Sequence, residues 1–403
     1  MNEQPTLNIG LIGHVSHGKT TIINALTGIK TQRFKSELEK NITIKLGYAN
    51  CKIFKCNDKN CPSPSNYKST NGDFSDNILC HCGSKMDLVR KVSFVDCPGH
   101  GVLMSTMLNG ASIMDAVIIV IAANESFPQK QTIEHYNAIK LLNLKNTIIV
   151  QNKVDLVKEE EAYIQYEEIR DYFDNDRIIP ICARLKYNID VLCEYIAKIS
   201  EPLRVLSSKP KLTIVRSFDV NKPGEKIESL KGGVCGGTLS RGILRVGDDI
   251  EIKPGIVTQH GYIPIFNKII SIYSENNILE YAIPGGLIGI GTNIDPFLTK
   301  GDKLVGHIIG HKGTLPDVYN KIIVKYEASI NMIKGECLII NVGSTTTCGK
   351  IEKIKNKLCK LCLTIPICVD IGENILISKI INKKPTLIGK GEIMGGCIMN
   401  SLH

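Results

Sequence analysis

The sequence predicts an α/β domain with a parallel-type sheet, followed by two small β-barrel domains. Near-continuous aliphatic runs at 116–121 and 147–150 are typical of strands that are buried on both faces of a parallel sheet. After residue 207 the pattern changes to short alternating runs separated by Gly, Pro and Asn, which is typical of antiparallel barrels. We therefore expect a first domain over 1–206 with an insertion at 50–90, a second domain over 207–310, and a third over 311–403.

The composition excludes several classes of protein. The N-terminus lacks the basic start and apolar run of a signal peptide, and the longest apolar run is too short to span a bilayer. Fifteen cysteines, an odd number, do not suggest a disulfide framework. We therefore expect a cytoplasmic protein with no membrane partner. The net charge of +9 lies mainly in 311–403, which suits a polyanionic partner such as RNA, although a solvated Lys-rich surface explains it almost as well.

Residues 13–20 form a complete G-x-x-x-x-G-K-[ST] phosphate-binding loop. The loop follows an apolar strand pattern and precedes a helical pattern, which is the order that phosphate binding requires. Gly13 and Gly18 allow successive backbone N–H groups to point at one phosphate. Lys19 reaches the outer phosphates, and Thr20 places a hydroxyl for Mg²⁺. The predicted nucleotide contacts here are Gly13, His14, Val15, Ser16, His17, Gly18, Lys19, Thr20 and Thr21.

Two further stretches predict a γ-phosphate sensor. Thr43 follows a polar segment and precedes a strand pattern, so its hydroxyl could reach Mg²⁺ only while a γ-phosphate holds that segment closed. By itself, Thr43 is better explained as an ordinary β-branched strand residue, but its position between the phosphate loop and the next element favours the Mg²⁺ role. Asp96 ends an apolar strand pattern, and its carboxylate could hold Mg²⁺ through water. After Pro98, the Gly99 N–H could meet the γ-phosphate, and His100 could orient the attacking water.

A third group of motifs predicts recognition of guanine. The Asp155 carboxylate can accept from both the ring N–H and the exocyclic amine of guanine, a pair that adenine does not offer. Asn152 and the aliphatic stem of Lys153 complete this base pocket. After the next strand pattern, a backbone N–H of Cys182, Ala183 or Arg184 would reach the guanine carbonyl oxygen. These motifs, each at a strand end, predict a P-loop GTPase domain and conflict with an ATP-using enzyme.

The insertion at 50–90 carries Cys56 and Cys61, followed by Cys80 and Cys82. Its Pro-, Ser-, Asn- and Gly-rich composition is not expected to build a hydrophobic core. Two cysteine pairs about twenty residues apart could instead be joined by one Zn²⁺ in a small knuckle. The spacings, C-x4-C and C-x-C, differ from the usual C-x-x-C pairs, and reduced surface thiols without a role are the alternative.

Together these motifs resemble the translational GTPases related to elongation factor Tu. Additional stretches, among them the cysteine insertion, resemble the gamma subunit of eukaryotic and archaeal translation initiation factor 2. The resemblance covers essentially the whole chain and is most specific in the first two domains. The stretches concerned are 37–49, 107–111, 124–126, 216–224, 231–234 and 281–292.

The resemblance implies a set of partners. It implies binding of GTP and GDP, capture of methionylated initiator tRNA, and delivery of that tRNA to the small ribosomal subunit. It also implies a heterotrimer with alpha and beta subunits, and GTPase-activating and nucleotide-exchange factors as further partners. GTP hydrolysis would be slow until the ribosome and an activating protein are engaged.

The resemblance also implies residue roles. Thr20 and Thr43 would hold Mg²⁺ directly, with Asp96 acting through water. Val15 would form one side of a hydrophobic gate that keeps His100 away from the γ-phosphate. For tRNA, the candidate contacts are Tyr48 and the turn at Gly285 and Gly286, which would leave room for the terminal adenosine and methionine.

The chain departs from the family pattern at two residues of the nucleotide-binding motifs. Cys182 replaces the usual Ser, which removes a good hydroxyl acceptor and leaves the backbone contact from Ala183. Lys40 stands where Arg is common, which removes a planar fork of donors.

Two other functions share this domain plan. One is an elongation-type carrier of aminoacyl-tRNA, against which the cysteine insertion and the missing fourth domain argue. The other is the GTPase regulatory subunit of a sulfate-activating enzyme, which would not bind RNA.

Overall fold

The computed structural model of the chain describes residues 3–31, 43, 45–144, 146–174, 177–222 and 224–402. Lys40 and most of the predicted switch segment lie outside the described residues. The chain forms two compact units, one over Pro5–Pro202 and one that combines Met1–Gln4 with Leu203–His403. Among the helices that the structure describes, none is both long and apolar enough to cross a membrane.

The first unit is the α/β domain. Its sheet and helices are, in chain order, β1 (Leu7–Gly13), α1 (Lys19–Thr27), β2 (Gly47–Cys56), β3 (Tyr67–Asn71), β4 (Met86–Asp96), α2 (Met104–Ala111), β5 (Ala116–Ala122), α3 (Lys130–Leu142), β6 (Asn146–Asn152), α4 (Glu159–Phe173), β7 (Ile178–Ile181) and α5 (Ile189–Ala197). Short 3₁₀ turns lie at Gly101–Leu103 and Val154–Leu156.

The sheet of this unit has the strand order β3-β2-β4-β1-β5-β6-β7. Strands β4, β1, β5, β6 and β7 are parallel, as the aliphatic runs predict. The sheet is mixed rather than purely parallel, because β2 pairs antiparallel with both β4 and β3. The connection from β2 through β3 to β4 contains no described crossover helix, and strands joined without one run antiparallel. The carboxyl ends of the five parallel strands meet at one edge.

Buried aliphatic side chains fix this arrangement. Every residue of β1 and of β5 is buried, which is why these strands show no alternation. Helix α1 packs on the sheet through Ile22, Ile23 and Leu26, and burial of each such side chain contributes about 1.5–3 kcal/mol. The phosphate loop between β1 and α1 is therefore anchored at both ends.

The insertion contains a small hydrophobic cluster, so the expectation that it lacks a core is wrong. Phe54 and Met86, from the strands that extend into the insertion, pack with Ile78. The cluster also contains three buried cysteines, at 56, 61 and 80. The composition of the polar loop does not indicate this cluster, because β2 and β4 supply apolar side chains to it.

The second unit is all β apart from short helical turns. Its first part contains β8 (Lys211–Phe218), β9 (Val234–Arg241), β10 (Leu244–Arg245), β11 (Asp249–Val257), β12 (Tyr262–Lys268), β13 (Ser271–Ser274), β14 (Asn277–Leu279), β15 (Tyr281–Ala282), β16 (Ile288–Gly291), α6 (Pro296–Thr299) and β17 (Ile308–His311). Its second part contains β18 (Val318–Ala328), β19 (Cys337–Val342), β20 (Thr345–Lys355), β21 (Leu358–Cys368), β22 (Asn374–Ile381) and β23 (Lys384–Ile398).

These strands confirm the predicted β-rich architecture. Strands β18 to β23 form a closed barrel in the order β18-β21-β20-β19-β22-β23. Eight of the preceding strands form an antiparallel sheet, β12-β11-β17-β8-β9-β16-β13-β14, whose edge strands do not pair with each other in the described part of the chain, and β10 pairs with β15 separately. One edge strand is only three residues long, and the other is extended by the C-terminal segment, where Tyr262 bridges to Ser401. The domain boundaries at 206 and 310 stay predictions.

The buried His135 on α3 makes the stability of the first unit dependent on pH. Its side chain has no exposed surface, and neither ring nitrogen has a hydrogen-bond partner among the described residues. Burial lowers the pKa of His135 from 6.5 to about 3. Below pH 6.5 the His135 side chain therefore binds a proton in the unfolded chain but not in the folded chain. The free energy of unfolding consequently falls as the pH falls.

Between pH 7.5 and 5.5, His135 should lower the free energy of unfolding by about 1.4 kcal/mol, and we expect His135→Leu to abolish this decrease. In calorimetry, the unfolding transition of the first unit is the one whose midpoint temperature GDP raises. Between pH 7.5 and 5.5 this midpoint should fall by about 3–6 °C less in the variant than in the wild type. Leu substitution of the exposed His260 is the matched control and should leave the pH dependence unchanged. Parallel curves for the wild type and His135→Leu would contradict this account.

Candidate nucleotide-binding site

The phosphate loop lies at the carboxyl edge of the sheet, between the end of β1 and the start of α1. Gly18 is the N-cap of α1, with φ 95°, a left-handed conformation that favours glycine. Ser16 adopts φ 63°, which is uncommon outside glycine and marks a loop held in one shape. The loop therefore presents the N-terminus of α1, with its unpaired N–H groups, to a phosphate.

Lys19 is held inside the loop. Its Nζ donates to the carbonyl oxygens of Gly13, at 2.9 Å, and His14, at 2.7 Å. Burial lowers the pKa of Lys19 to about 8, and the nearby Asp96 acts in the opposite direction. A phosphate group arriving at this loop would stabilise the charged ammonium, as the predicted role of Lys19 requires.

The His17 side chain supports the phosphate loop through contacts with β5 and Glu125, and it does not point into the loop. The side chain is 1% exposed, and its Nδ1 lies 2.9 Å from the carbonyl oxygen of Val120 on β5. Its Nε2 lies 3.2 Å from Oε2 of Glu125. Burial lowers the pKa of His17, which Glu125 opposes. The sequence motif did not assign this bracing role to Glu125, because the residue is far from the loop in the chain.

Four oxygen-bearing side chains converge next to the loop. Oδ2 of the fully buried Asp96 accepts from the hydroxyls of Thr20 at 2.7 Å and Thr31 at 2.6 Å. Thr43 contributes a third hydroxyl, 3.3 Å from that of Thr20. The other oxygen, Oδ1, is buried and has no partner among the described residues. Burial raises the pKa of Asp96, and the hydroxyls and Lys19 counteract it.

This donor set fits a hard divalent cation. All the donors are oxygens, which is the ligand type that Mg²⁺ prefers, and the orphaned Oδ1 of Asp96 supplies an unused acceptor. The structure thus brings together Thr20, Thr43 and Asp96, whose role as Mg²⁺ ligands stays a prediction. It adds Thr31, which no motif marked and which only the fold places beside Asp96.

The segment after β4 packs directly on the phosphate loop. A side chain at Gly99 would place its Cβ 2.8 Å from the Val15 nitrogen and 2.9 Å from the Gly13 carbonyl oxygen, so only glycine fits. Pro98 is buried beside it, and His100 is exposed at the surface of the site. The predicted γ-phosphate sensor is therefore in contact with the loop.

The predicted base pocket is joined to the loop by one amide. Asn152, at the end of β6, donates from Nδ2 to the carbonyl oxygen of His17 at 2.9 Å. Its Oδ1 accepts from the Ala183 N–H at 3.1 Å. That N–H, which the sequence assigned to the guanine carbonyl, thus already has a partner here, and its contact with guanine stays a prediction.

The remaining base-pocket residues lie around this amide. Lys153 takes a left-handed conformation at φ 65°, and the side chain of Asp155 is exposed in the following 3₁₀ turn. Cys182 is buried beside Asp155, and burial together with this carboxylate raises the pKa of its thiol. Arg184 is exposed.

The four predicted zinc ligands are close together in the insertion. Sγ of Cys56 lies 3.5 Å from Sγ of Cys82, and Sγ of Cys61 lies 3.7 Å from Sγ of Cys80. All four sulfur atoms are within 4.8 Å of one another. A tetrahedral zinc site with Zn–S bonds of about 2.3 Å places sulfur atoms about 3.8 Å apart, so the spacing fits the metal.

The predicted tRNA contacts lie in different units. Tyr48 is half-buried on β2 of the first unit. In the second unit, Gly285 and Gly286 form a turn whose carbonyl oxygens accept from Gln4 and Thr238, both at 2.6 Å. The turn is thus held firmly in place.

Comparison with known proteins identifies the parts of the chain separately. Residues 4–202 match the family described as elongation factor Tu GTP binding domain. Residues 320–393 match the family described as initiation factor eIF2 gamma, C terminal. The fold is similar to that of a bacterial selenocysteine-specific elongation factor, EF-Sec, with a TM-score of 0.74 and 24% identity over 96% of this chain and 58% of that one. It is also similar to elongation factor SelB from Methanococcus maripaludis with the GTP analogue GppNHp, with a TM-score of 0.72 and 22% identity over 98% of this chain and 80% of that one.

Two curated relatives match almost the full chain. Eukaryotic translation initiation factor 2 subunit 3 of Drosophila melanogaster is 48% identical over 98% of this chain and 90% of the relative. Eukaryotic translation initiation factor 2 subunit gamma of Schizosaccharomyces pombe is 48% identical over 98% of this chain and 95% of the relative.

The fold and the site define a translational GTPase of the elongation factor Tu type. Within that class, the full-length similarity is specific. The chain belongs to the family of gamma subunits of eukaryotic translation initiation factor 2, and it is a GTPase subunit of a translation initiation factor.

We expect Asp155→Asn to shift the base preference from guanine toward xanthine. The substitution replaces the two acceptor oxygens of the carboxylate by one acceptor oxygen and one donor NH₂ group. Loss of a charge-assisted hydrogen bond should weaken GDP binding about 10–100-fold. Fluorescent GDP and XDP titrations measure the two affinities. Asp171→Asn, at an exposed position on α4, is the control. Unchanged GDP affinity would rule out the base-pocket assignment.

Proposed function

We propose that the chain binds methionylated initiator tRNA in its GTP state and delivers it to the small ribosomal subunit in the cytoplasm. In this proposal the chain acts in a heterotrimer with alpha and beta subunits, and it hydrolyses GTP on start-codon selection. The observation that carries the proposal is the full-length similarity to subunit 3 and subunit gamma of translation initiation factor 2. The complete set of nucleotide motifs at one sheet edge supports it.

Nucleotide binding follows from the loop. The N–H groups of Gly13–Thr21 surround the phosphates, and Lys19 leaves its two carbonyl partners for the outer phosphate oxygens. Asp155 accepts the hydrogen bonds of guanine, while Asn152 keeps the base pocket and loop at a fixed separation. Base and phosphate are thus recognised by one connected set of contacts.

The state of the nucleotide is detected at Asp96. Thr20 and Thr43 would hold Mg²⁺ directly and Asp96 through water, and the bound cation neutralises charge on the phosphate oxygens. In the proposal, a bound γ-phosphate holds Thr43 in this position, and loss of that phosphate releases it.

Hydrolysis would depend on His100. Its exposed side chain stands next to Gly99, where it can orient a water molecule for attack on the γ-phosphate. Val15 lies on the loop side of this position and forms part of the gate. The described switch residues, 43, 45–48 and 96–103, contain no Arg that could supply an arginine finger, so isolated turnover is slow and an activating protein accelerates it. A nucleotide-exchange factor then restores the GTP state.

Zinc would stabilise the insertion through Cys56, Cys61, Cys80 and Cys82. Their sulfur separations match a tetrahedral site. Ser84 lowers the pKa of Cys82 to about 6, whereas burial raises the pKa of Cys61 to about 12. At neutral pH, binding at this cluster would therefore release protons chiefly from thiols that are protonated in the free protein, such as Cys61.

The tRNA assignment is tested by measuring binding to methionylated initiator tRNA and to elongator methionyl-tRNA. Each is measured with GDP and with a non-hydrolysable GTP analogue at one salt concentration, because phosphate contacts make affinity depend on salt. We expect tight binding only for the initiator tRNA with the analogue. Thr43→Ala should reduce the difference in initiator-tRNA affinity between protein bound to GDP and protein bound to the GTP analogue.

Other outcomes distinguish the alternatives. Equal binding of both tRNAs would indicate an elongation-type carrier. If neither tRNA binds even with alpha and beta subunits present, the chain is a GTPase that does not act on tRNA.

For the insertion, we expect one Zn²⁺ per wild-type chain by elemental analysis and none in Cys80→Ser. Metal removal should also lower the thermal stability of the first unit, because the four cysteines join the end of β2 to the segment that precedes β4. Cys337→Ser, an exposed thiol of the barrel, is the matched control and should retain the metal. Wild-type protein without zinc but with all four thiols reactive would exclude the site.

A further inference from the structure

The side chain of Gln131, on the first turn of α3, joins the phosphate loop to the segment that bears His100. With its amide nitrogen directed at the carbonyl oxygen of Gly99, Gln131 donates to that oxygen at 2.7 Å and to Nε2 of His14 at 3.2 Å. In the same orientation its amide oxygen accepts from the Gly101 N–H at 3.2 Å. This orientation gives each donor an acceptor, which the reverse orientation does not.

Two of these contacts fix the backbone of His100. The Gly99 carbonyl belongs to the peptide group before His100, and the Gly101 N–H belongs to the peptide group after it. Because each peptide group is planar, holding both planes sets φ and ψ of His100. The Leu103 N–H holds the second plane from the other side, since it donates to the His100 carbonyl oxygen at 2.8 Å. The direction of the His100 side chain therefore depends on Gln131.

The third contact extends to the phosphate loop. When Nε2 of His14 accepts from Gln131, the ring proton is on Nδ1. That nitrogen lies 3.0 Å from the carbonyl oxygen of Val15 and can donate to it. One half-buried glutamine thus connects the loop position assigned to the gate with the residue assigned to the attacking water.

We propose that Gln131 is a positioning residue for GTP hydrolysis. Its amide holds His100 and the loop around Val15 in one fixed geometry, so that His100 faces the water when the gate opens. In the reaction the water oxygen bonds to the γ-phosphorus as the bond from that phosphorus to the β–γ bridging oxygen breaks. GDP and inorganic phosphate are the products, and the protons of the water remain on phosphate and solvent. The inference rests on the proposed role of His100.

The test uses single-turnover GTP hydrolysis by the assembled factor with small ribosomal subunits, initiator tRNA and the activating protein. Gln131→Ala removes the amide, and Gln131→Glu keeps its shape but cannot donate to the Gly99 carbonyl. We expect both variants to hydrolyse GTP about 10–100-fold more slowly, as misplacement of a reacting group by about 1 Å does. The affinities for GDP and for a non-hydrolysable GTP analogue should stay within about 2-fold of wild type, since Gln131 is not among the loop N–H groups that bind phosphate.

Gln129 offers matched control variants. It lies two residues earlier, and its amide bonds only to Ser126 among the contacts that the described residues show. Gln129→Ala and Gln129→Glu should hydrolyse GTP at the wild-type rate. Wild-type rates in both Gln131 variants would overturn the proposal.

A double-mutant cycle with His100→Ala separates positioning from a general structural effect. If Gln131 acts through His100, adding Gln131→Ala to His100→Ala should slow hydrolysis no further. An equal slowing in both backgrounds would show that Gln131 acts independently, which overturns the inference. If His100→Ala alone leaves the rate unchanged, the proposed role of His100 fails first, and the positioning role fails with it. GDP binding and thermal unfolding of each variant confirm that the domain is folded.

Discussion

The amide of Asn152 is the contact on which the nucleotide site depends. Its oxygen and nitrogen bond in opposite directions, the nitrogen to the loop at His17 and the oxygen to Ala183, just after β7. The phosphate loop and the base pocket are built by strands that are not neighbours, since β5 and β6 lie between β1 and β7. A buried amide with both ends paired converts this separation into a fixed distance, and an unpaired one would cost about 1–3 kcal/mol. Recognition of base and phosphate by one ligand requires that fixed distance.

Around this frame, buried charge supplies the chemistry. Asp96 lies in a site where burial raises its pKa, and Lys19 lies where burial lowers its pKa to about 8. Each group opposes the pKa shift of the other, and the hydroxyls of Thr20 on α1 and of Thr43 both contact Oδ2 of Asp96. The site therefore holds two buried ionisable groups whose desolvation is only partly compensated within the protein. In the proposed site a bound cation would compensate Asp96 and a bound phosphate would compensate Lys19, so a nucleotide with its cation would relieve both desolvation costs together.

The sequence predicts those parts of the site that local motifs encode. The phosphate loop, the Asp96 to His100 segment and the Asn152 to Asp155 segment follow strand ends, and the parallel sheet brings them to one edge. No local motif indicates Thr31 or Gln131, because their contacts with Asp96 and Gly99 join distant parts of the chain. The same reason explains the mixed sheet: a period-two or aliphatic pattern indicates a strand but not its direction.

The barrel prediction shows the same division between local and tertiary information. Alternating runs and turn residues correctly indicate antiparallel strands throughout the second unit. Closure is a different property, because it depends on whether the two edge strands meet with matching length and register. Strands β18 and β23 are long and pair along most of their length, and that sheet closes. The short β14 offers three residues for pairing, and the preceding sheet ends there.

Cys182 departs from the family pattern at a buried position beside Asp155. The buried thiol stays protonated, because burial and the neighbouring Asp155 both raise its pKa. A protonated thiol is a weak donor, so it can still orient the Asp155 carboxylate where a hydroxyl would otherwise do so. What the thiol supplies poorly is an acceptor, and here the neighbouring Ala183 N–H bonds to Asn152 rather than to the side chain at 182. In the proposed base pocket, the backbone and Asn152 would maintain the geometry, and the side chain at 182 would contribute chiefly to the orientation of one carboxylate.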